Sequence, residues 1–139
     1  MPTIYKEILI DARPEQVWDA VRDVGAVHRR LVPGYTEDTL MNGYERTLLL
    51  PKGGKVRELI VSMDEKERRM AYAVIEGGMP LLHHHASFQV TPHGNTCSKL
   101  LWITDFLPED FYTEIQARVN RGAEVMKATI EAEVNGGIQ

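Results

Sequence analysis

The segment CSKLLWITDFLPEDFYTEIQARVNRGAEVMKATIEAEV, residues 97–134 of 139, decides the fold of this chain. Its first part, residues 97–106, is rich in leucine, β-branched and aromatic residues, which predicts a strand that ends before Pro108. From about residue 108 to 134, apolar residues recur every three or four positions, a spacing typical of a helix with one apolar face. That face carries Phe111, Ile115, Val119, Ala123, Met126 and Ile130. The segment therefore predicts a strand followed by a long C-terminal helix.

Before this segment, the sequence predicts one strand, a pair of short helices and a run of further strands. Residues 3–11 form the first strand, a helix begins at Pro14 and ends at Gly25, and residues 26–31 add a helical turn. The later strands are expected at residues 35–41, 44–50, 55–63, 70–76 and 82–91. Short turns such as Asn42-Gly43 join them, so neighbouring strands run antiparallel. The predicted fold class is α+β, with one curved antiparallel sheet of six or seven strands around the C-terminal helix.

The overall composition excludes several classes of protein. With 16 Lys and Arg against 20 Asp and Glu, the net charge is -4, which argues against a nucleic-acid-binding module. No apolar run is long enough for a membrane helix, and the N-terminal residues lack a secretory signal. Cys97 is the only cysteine, which excludes a disulfide framework and a multi-cysteine zinc site. We expect a soluble, cytoplasmic single domain over residues 1–139, with no nucleic-acid partner, membrane insertion or cofactor.

Six short stretches, in order along nearly the whole chain, resemble motifs of the helix-grip superfamily. They are residues 10–18, residues 43–48, residues 56–59, Asp64, the alternating set of His84, Ala86, Phe88 and Val90, and residues 102–108. This superfamily includes the START domains, the Bet v 1-like pollen allergens, the plant abscisic acid receptors and the polyketide cyclase/dehydrase family. Because its members have many unrelated functions, the resemblance implies the fold and leaves the chemistry open.

The resemblance also implies a hydrophobic cavity between the sheet and the terminal helix, with a few polar groups that orient a ligand. By their positions in the motifs, the residues directed towards this cavity are Arg46, Leu48, Leu50, Glu58, Tyr72, Val74, Leu81, His84 and Ala86. From the helix we add Ile115, Val119 and Ala123. The loop at residues 51–54 is shorter than the gating loop of the hormone receptors, and residues 79–81 lack their polar latch. The receptors' hormone and phosphatase partners are therefore not carried over.

Three consecutive histidines are the most conspicuous polar feature of the sequence. On a strand, His83 and His85 share one face and His84 points to the other. His83 and His85 could chelate a metal with a third ligand from a neighbouring strand. The more common alternative is an exposed pair with one histidine near the core, and we expect no metal. His84 is the candidate for ligand contact, because Ala86 and Phe88 continue its face.

Glu58 is the second candidate for chemistry, and two interpretations of its position conflict. The opposite face of its strand carries the apolar Leu59, Val61 and Met63, so simple patterning predicts that Glu58 is exposed. The family resemblance instead directs Glu58 into the cavity, where burial would raise its pKa and suit it for acid–base chemistry. Arg46 is expected to pair with Glu58, to anchor a ligand carboxylate, or to form an exposed salt bridge. The face occupied by Asp105 is left open, because both faces of its strand are apolar.

These observations favour one function and leave two alternatives. The first is the binding of a small hydrophobic ligand, of lipid-, aromatic- or polyketide-like character, between the sheet and the helix. The alternative is an enzyme of the polyketide cyclase/dehydrase type that uses His84 and Glu58 as acid and base. A third possibility is a protein-interaction module with a filled cavity.

The sequence also predicts a homodimer. In strands 55–63 and 97–106 both faces carry large apolar residues, whereas a sheet with one solvated face should alternate cleanly. We group Ile60, Leu101 and Ile103 on one face, and Leu59, Val61, Met63, Leu100, Trp102 and Phe106 on the other. The terminal helix can cover only the inner face, so the outer face is expected to contribute to a two-fold contact.

Overall fold

A computed structural model describes residues 2–136 and consists of a seven-stranded sheet, three helices and two short 3-10 turns. The strands are β1 (Thr3–Ile10), β2 (Asp38–Asn42), β3 (Glu45–Leu49), β4 (Lys55–Asp64), β5 (Arg69–Glu76), β6 (His83–His93) and β7 (Cys97–Leu107). The helices are α1 (Pro14–Val21), α2 (Val27–Arg30) and α3 (Tyr112–Gly136), and the 3-10 turns are Val24–Ala26 and Glu109–Phe111. Among the described residues, no helix combines the length and the apolar composition that crossing a membrane requires.

The sheet has the strand order β1-β7-β6-β5-β4-β3-β2, and every neighbouring pair is antiparallel. Short turns connect the strands from β2 to β7, and the β2–β3 turn has Gly43 at a positive φ of 62°, a conformation that glycine adopts without strain. The β4–β5 pairing is interrupted twice by register shifts, and such bulges bend a sheet. The predicted helix-grip fold is confirmed.

The predicted element ends differ from the observed ones in the helical regions. Helix α1 ends at Val21 rather than Gly25, because the chain turns after Arg22 into the separate 3-10 turn Val24–Ala26. Helix α3 begins at Tyr112, since the acidic residues after Pro108 form a 3-10 turn before the helix. Helix α1 is therefore shorter than predicted, and a separate 3-10 turn lies between α1 and α2.

The core consists of two apolar clusters between the inner face of the sheet and the helices. The larger one joins α1, the sheet and the C-terminal half of α3, with Val17, Leu100 and Ile130 among its most buried members. The smaller one joins Ile4, Phe106, Ile115 and Val119. The buried face of α3 follows the predicted stripe from Ile115 to Ile130, with Gly122 in addition.

Gly122 lies where α3 passes closest to the sheet. A Cβ atom at this position would lie 3.2 Å from two atoms of the Trp102 ring, closer than side-chain contacts normally allow. The absence of a side chain therefore lets the indole pack directly against the helix backbone. This explains why a residue that weakens a helix interior occurs in the middle of α3.

The strand register corrects the predicted grouping of the apolar faces. Trp102 pairs with Phe88 and Phe106 pairs with His84 on the inner face, so Leu100, Trp102 and Phe106 all lie on that face. Ile60 pairs with Tyr72 on that same face. Leu101 and Ile103 lie on the outer face with Leu59. Alternation within one strand separates its residues into two faces. Only the pairing between strands shows which residues of two different strands lie on the same face of the sheet.

Candidate functional site

A cavity of about 460 Å3 lies between the inner face of the sheet, the α1–α2 segment and the middle of α3. The helical segment and the chain after it contribute Val21, Val27, Leu31, Val32, Tyr35 and Thr36. The strands, with Leu50 just after β3, contribute the apolar residues Leu48, Leu50, Val56, Met70, Phe88 and Trp102, and the polar Arg46, Glu58 and Tyr72. Helix α3 contributes Arg118, Arg121, Gly122 and Met126. A volume of this size, with mostly apolar walls and a few polar groups, is typical of a small-molecule site.

Arg46 and Glu58 form a buried ion pair in the wall of the cavity. They are direct neighbours across β3 and β4, and each is at most 5% exposed. Arg46 donates from Nε and Nη2 to Oε1 of Glu58, at 2.9 and 2.6 Å, and from Nη1 to the carbonyl of Val24 at 3.2 Å. Burial raises the pKa of the Glu58 carboxyl, and the adjacent guanidinium opposes that rise. The prediction from the family resemblance is therefore correct for Glu58, and the prediction from simple patterning is wrong.

One oxygen of Glu58 remains available to a ligand. Both hydrogen bonds from Arg46 end on Oε1, and Oε2 takes part in no hydrogen bond within residues 2–136. The carboxylate is thus held on one side and has free acceptor capacity on the other. Such a group can accept a hydrogen bond from a ligand or exchange a proton with it.

Three aromatic rings form a continuous wall beside the ion pair. The Tyr72 and Phe88 ring centroids are 6.1 Å apart, the Phe88 and Trp102 centroids are 5.0 Å apart, and both pairs are stacked. The guanidinium carbon of Arg46 lies 5.3 Å from the Tyr72 ring centroid, a cation–π distance. Burial raises the pKa of the Tyr72 phenol, and the negative charge of Glu58 adds to the rise, so the phenol is a neutral hydrogen-bonding group. The wall offers flat apolar surface to a planar ligand.

The indole N–H of Trp102 is an unpaired donor in this wall. It is buried, and no described residue accepts a hydrogen bond from it. The indole lies near the Tyr72 hydroxyl and slightly offsets the rise in the pKa of that phenol, but the two groups do not reach hydrogen-bond geometry. A buried donor without a partner is unfavourable, and unsatisfied groups of this kind occur at functional sites.

Five of the twelve predicted ligand-binding residues line this cavity: Arg46, Leu48, Leu50, Glu58 and Tyr72. The other seven do not line it, and they are Val74, Leu81, His84, Ala86, Ile115, Val119 and Ala123. Val74, Ala86 and Ala123 pack in the larger core cluster instead, and Leu81, Ile115 and Val119 pack in the smaller one. The lining therefore differs from the predicted grouping of Tyr72, His84 and Val119 around one cavity, since it includes Tyr72 but neither His84 nor Val119. Helix α3 borders the cavity one turn further along, through Gly122 and Met126, and packs Val119 into the smaller cluster.

His84 lies on the inner face, opposite Phe106 and outside the cavity. Burial lowers its pKa to about 4, and the positive charges of His83, His85 and Arg118 add to this effect. His84 is therefore neutral at pH 7. His83 and His85 pair with residues of β7 on the other side, and within residues 2–136 no cluster of three His, Cys, Asp or Glu side chains could hold a metal ion.

Several residues of the cavity were not predicted from the sequence. Helix α3 borders the cavity with Arg118, Arg121, Gly122 and Met126, and of these four only Met126 belongs to the predicted apolar stripe. Two arginines in a helix normally indicate a solvated surface, so the presence of arginine at these positions did not predict a ligand site. Gly122 was the available signal, since a glycine in mid-helix required a close neighbour.

Comparison with solved structures reveals close similarity of fold at low sequence identity. XoxI from Bacillus cereus superimposes with a TM-score of 0.85 and 21% identity, covering 96% of this chain and 99% of that one. Norcoclaurine synthase from Thalictrum flavum, in complex with dopamine and hydroxybenzaldehyde, gives 0.77 and 19%, covering 97% and 87%. The two-domain ARO/CYC protein BexL from the BE-7585A biosynthetic pathway gives 0.83 and 15%, covering 97% and 48%.

Comparison at the level of sequence gives the family. A search of curated proteins finds no match to the chain. The sequence profile described as "Polyketide cyclase / dehydrase and lipid transport" matches residues 1–138, which is nearly the whole chain. This match agrees with the seven-stranded sheet, the long terminal helix and the cavity between them. The chain belongs to the polyketide cyclase/dehydrase and lipid transport family.

Proposed function

We propose that this protein binds a small ligand with a largely apolar body, of aromatic, polyketide-like or lipid-like character, in the cavity between the sheet and α3. The observation that carries the proposal is the cavity itself: about 460 Å3 lined mostly by apolar side chains, with the Arg46–Glu58 pair and Tyr72 in its wall. The stacked rings of Tyr72, Phe88 and Trp102 suit a planar ligand. Membership of the family and the aromatic ligands named for norcoclaurine synthase support this class of compound.

The first test is whether filling the cavity abolishes binding. Leu48 lines the cavity, so Leu48→Trp is expected to weaken binding of an uncharged aromatic probe, methyl naphthoate, by at least about tenfold, because the added ring occupies the ligand's space. Isothermal titration calorimetry measures the change. Leu59→Trp is the matched control, because Leu59 points to the outer face of the neighbouring strand. Equal affinity in the two variants would contradict the proposed location. Native mass spectrometry of the purified protein would identify a co-purified ligand.

A second candidate function is catalysis of the cyclase/dehydrase type at the same cavity. The observation that favours it is the Glu58 carboxyl in the cavity lining, which combines a pKa raised by burial with an oxygen that accepts no hydrogen bond from the described residues. Tyr72 lies beside it as a neutral hydrogen-bond donor. The predicted pairing of Glu58 with His84 has no support in the geometry, since His84 does not line the cavity. Chemical change of the bound ligand, lost in Glu58→Gln, would distinguish catalysis from binding.

We further propose that the protein forms a two-fold homodimer through the outer face of the sheet. Tyr5 and Leu59 are exposed there, and Val61, at the register shift of β4, is 51% exposed. Light scattering is expected to give about twice the chain mass of 15.8 kDa, and Val61→Glu to restore the single-chain mass without unfolding the protein, because a charge would be buried in the contact. Thr113→Glu, at an exposed position of α3 and not in the sheet, is the control. A mass of 15.8 kDa for the unmodified protein would refute the dimer.

A further inference from the structure

Two arginines of α3 lie where the cavity meets solvent. Arg118 and Arg121 both line the cavity and both are exposed, and residues three apart in a helix share one face. Glu114 precedes Arg118 by four residues and Glu124 follows Arg121 by three, spacings at which helical ion pairs form. Within residues 2–136, however, neither arginine forms a salt bridge. Two guanidinium groups at the entrance are therefore available to a ligand.

The charge balance inside the cavity leaves these two positive charges uncompensated. Arg46 and Glu58, the other charged residues in the lining, neutralise each other in a direct ion pair. His84 is neutral at pH 7 and so adds no charge near the two arginines. The positive charge of Arg118 is one of the causes that lower the pKa of His84. The entrance is thus positive on a chain whose net charge is -4. A positive potential at the entrance, on a molecule of negative net charge, attracts anions to the entrance.

We infer that the ligand carries an anionic group, a carboxylate or a phosphate, which Arg118 and Arg121 bind at the entrance while its apolar body occupies the cavity. The inference rests on the proposed function and names the chemical class of the ligand. Guanidinium groups suit it because their planar fork of donors matches the oxygens of both anions. Apolar walls behind a positive entrance select an amphipathic molecule: the walls bind its body, and the arginines fix which end remains near solvent.

The test compares charged and uncharged probes of the same shape. Isothermal titration calorimetry with naphthoate, naphthyl phosphate and uncharged methyl naphthoate is performed on the full chain and on R118Q/R121Q. The control K66Q/K99Q removes the same charge from an exposed turn and from the outer face of β7. For the unmodified chain and the control, an anionic probe is expected to bind about tenfold more tightly than the ester. In R118Q/R121Q this advantage should disappear while the affinity for the ester stays within about twofold. The preferred anion shows whether the natural group is a carboxylate or a phosphate.

The outcomes separate this inference from the proposed function. If all three probes bind the unmodified chain equally, the cavity binds apolar bodies and the inference is wrong. If the anions bind more tightly but keep that advantage in R118Q/R121Q, their charge is recognised elsewhere and the inference is also wrong. If none of the probes binds, neither the inference nor the proposed cavity function stands. Circular dichroism of the variants shows that they are folded, so a loss of anion binding reports on the arginines alone.

Discussion

Replacing Arg46 by Met is expected to lower the free energy of unfolding by about 3–5 kcal/mol at pH 7. The physical reason is that Glu58 stays buried in the cavity wall after losing the guanidinium that donates two hydrogen bonds to it. The variant also loses the bond from Arg46 to the carbonyl of Val24. Urea unfolding followed by circular dichroism measures the change, with the linear extrapolation applied to both proteins.

The same two strands provide a matched control on the opposite face. Arg57 pairs with Glu45 at 2.7 Å, but both side chains are substantially exposed. Arg57→Met should therefore cost much less than Arg46→Met, because solvent compensates the remaining carboxylate. The double variant Arg46→Met/Glu58→Leu should recover most of the loss, since it leaves no buried charge unpaired. An Arg46→Met variant that is as stable as Arg57→Met would show that the buried pair is not important for stability.

The loss caused by Arg46→Met should also depend on pH. Without Arg46, burial raises the pKa of Glu58 with no opposing charge. The folded chain then holds a proton that the unfolded chain releases near the ordinary carboxyl pKa. A group with this sign contributes stability at low pH and loses it as the pH rises through the folded-state pKa. The destabilisation should therefore be smaller at pH 5 than at pH 8.

Acidification should destabilise the protein through His84, by about 3 kcal/mol between pH 7 and pH 4. In the folded chain, burial lowers the pKa of this imidazole from its ordinary 6.5 to about 4. The unfolded chain therefore binds a proton to His84 more readily than the folded chain does. Stability from a group of this kind is present above the unfolded pKa and is lost as the pH falls through 6.5 towards 4.

The variant His84→Gln isolates this contribution, because glutamine does not titrate. We expect the free energy of unfolding of His84→Gln to fall less between pH 7 and pH 4 than that of the unmodified chain, by about 3 kcal/mol. His93→Gln is the control, since His93 lies in the exposed end of β6. Identical pH profiles for the unmodified chain and His84→Gln would show that this histidine is not buried in its neutral form.

The sequence predicted those parts of the fold that depend on local periodicity. The stripe from Ile115 to Ile130 specified a helix with one buried face, and the turn at Asn42-Gly43 specified a hairpin. These signals are local, because each depends on residues within a few positions of one another. The order of the elements then predicted that the terminal helix covers the inner face of the sheet.

The site was harder to predict because its geometry depends on pairing between distant residues. Patterning along β4 predicted an exposed Glu58, because the opposite face carries Leu59, Val61 and Met63. Its burial is acceptable only because the register of β3 and β4 sets Arg46 directly opposite, and single-strand alternation contains no information about that register. The cavity face of α3 was missed for a related reason. Its Arg118 and Arg121 have the composition of a solvated surface, and only the position of the helix over the sheet shows what lies beneath them.

The contact between Gly122 and Trp102 has a consequence for how such a cavity can change its size. The helix backbone rests on the edge of the indole, and a methyl group at Gly122 would lie only 3.2 Å from the ring, so that one of the two would have to move. The pair therefore acts as a spacer that sets the height of the chamber at this point. A side chain at position 122 would push the helix and the indole apart, and a smaller ring at position 102 would leave space between the helix and the sheet. The packing of α3 on the sheet and the dimensions of the cavity therefore depend on the same two residues.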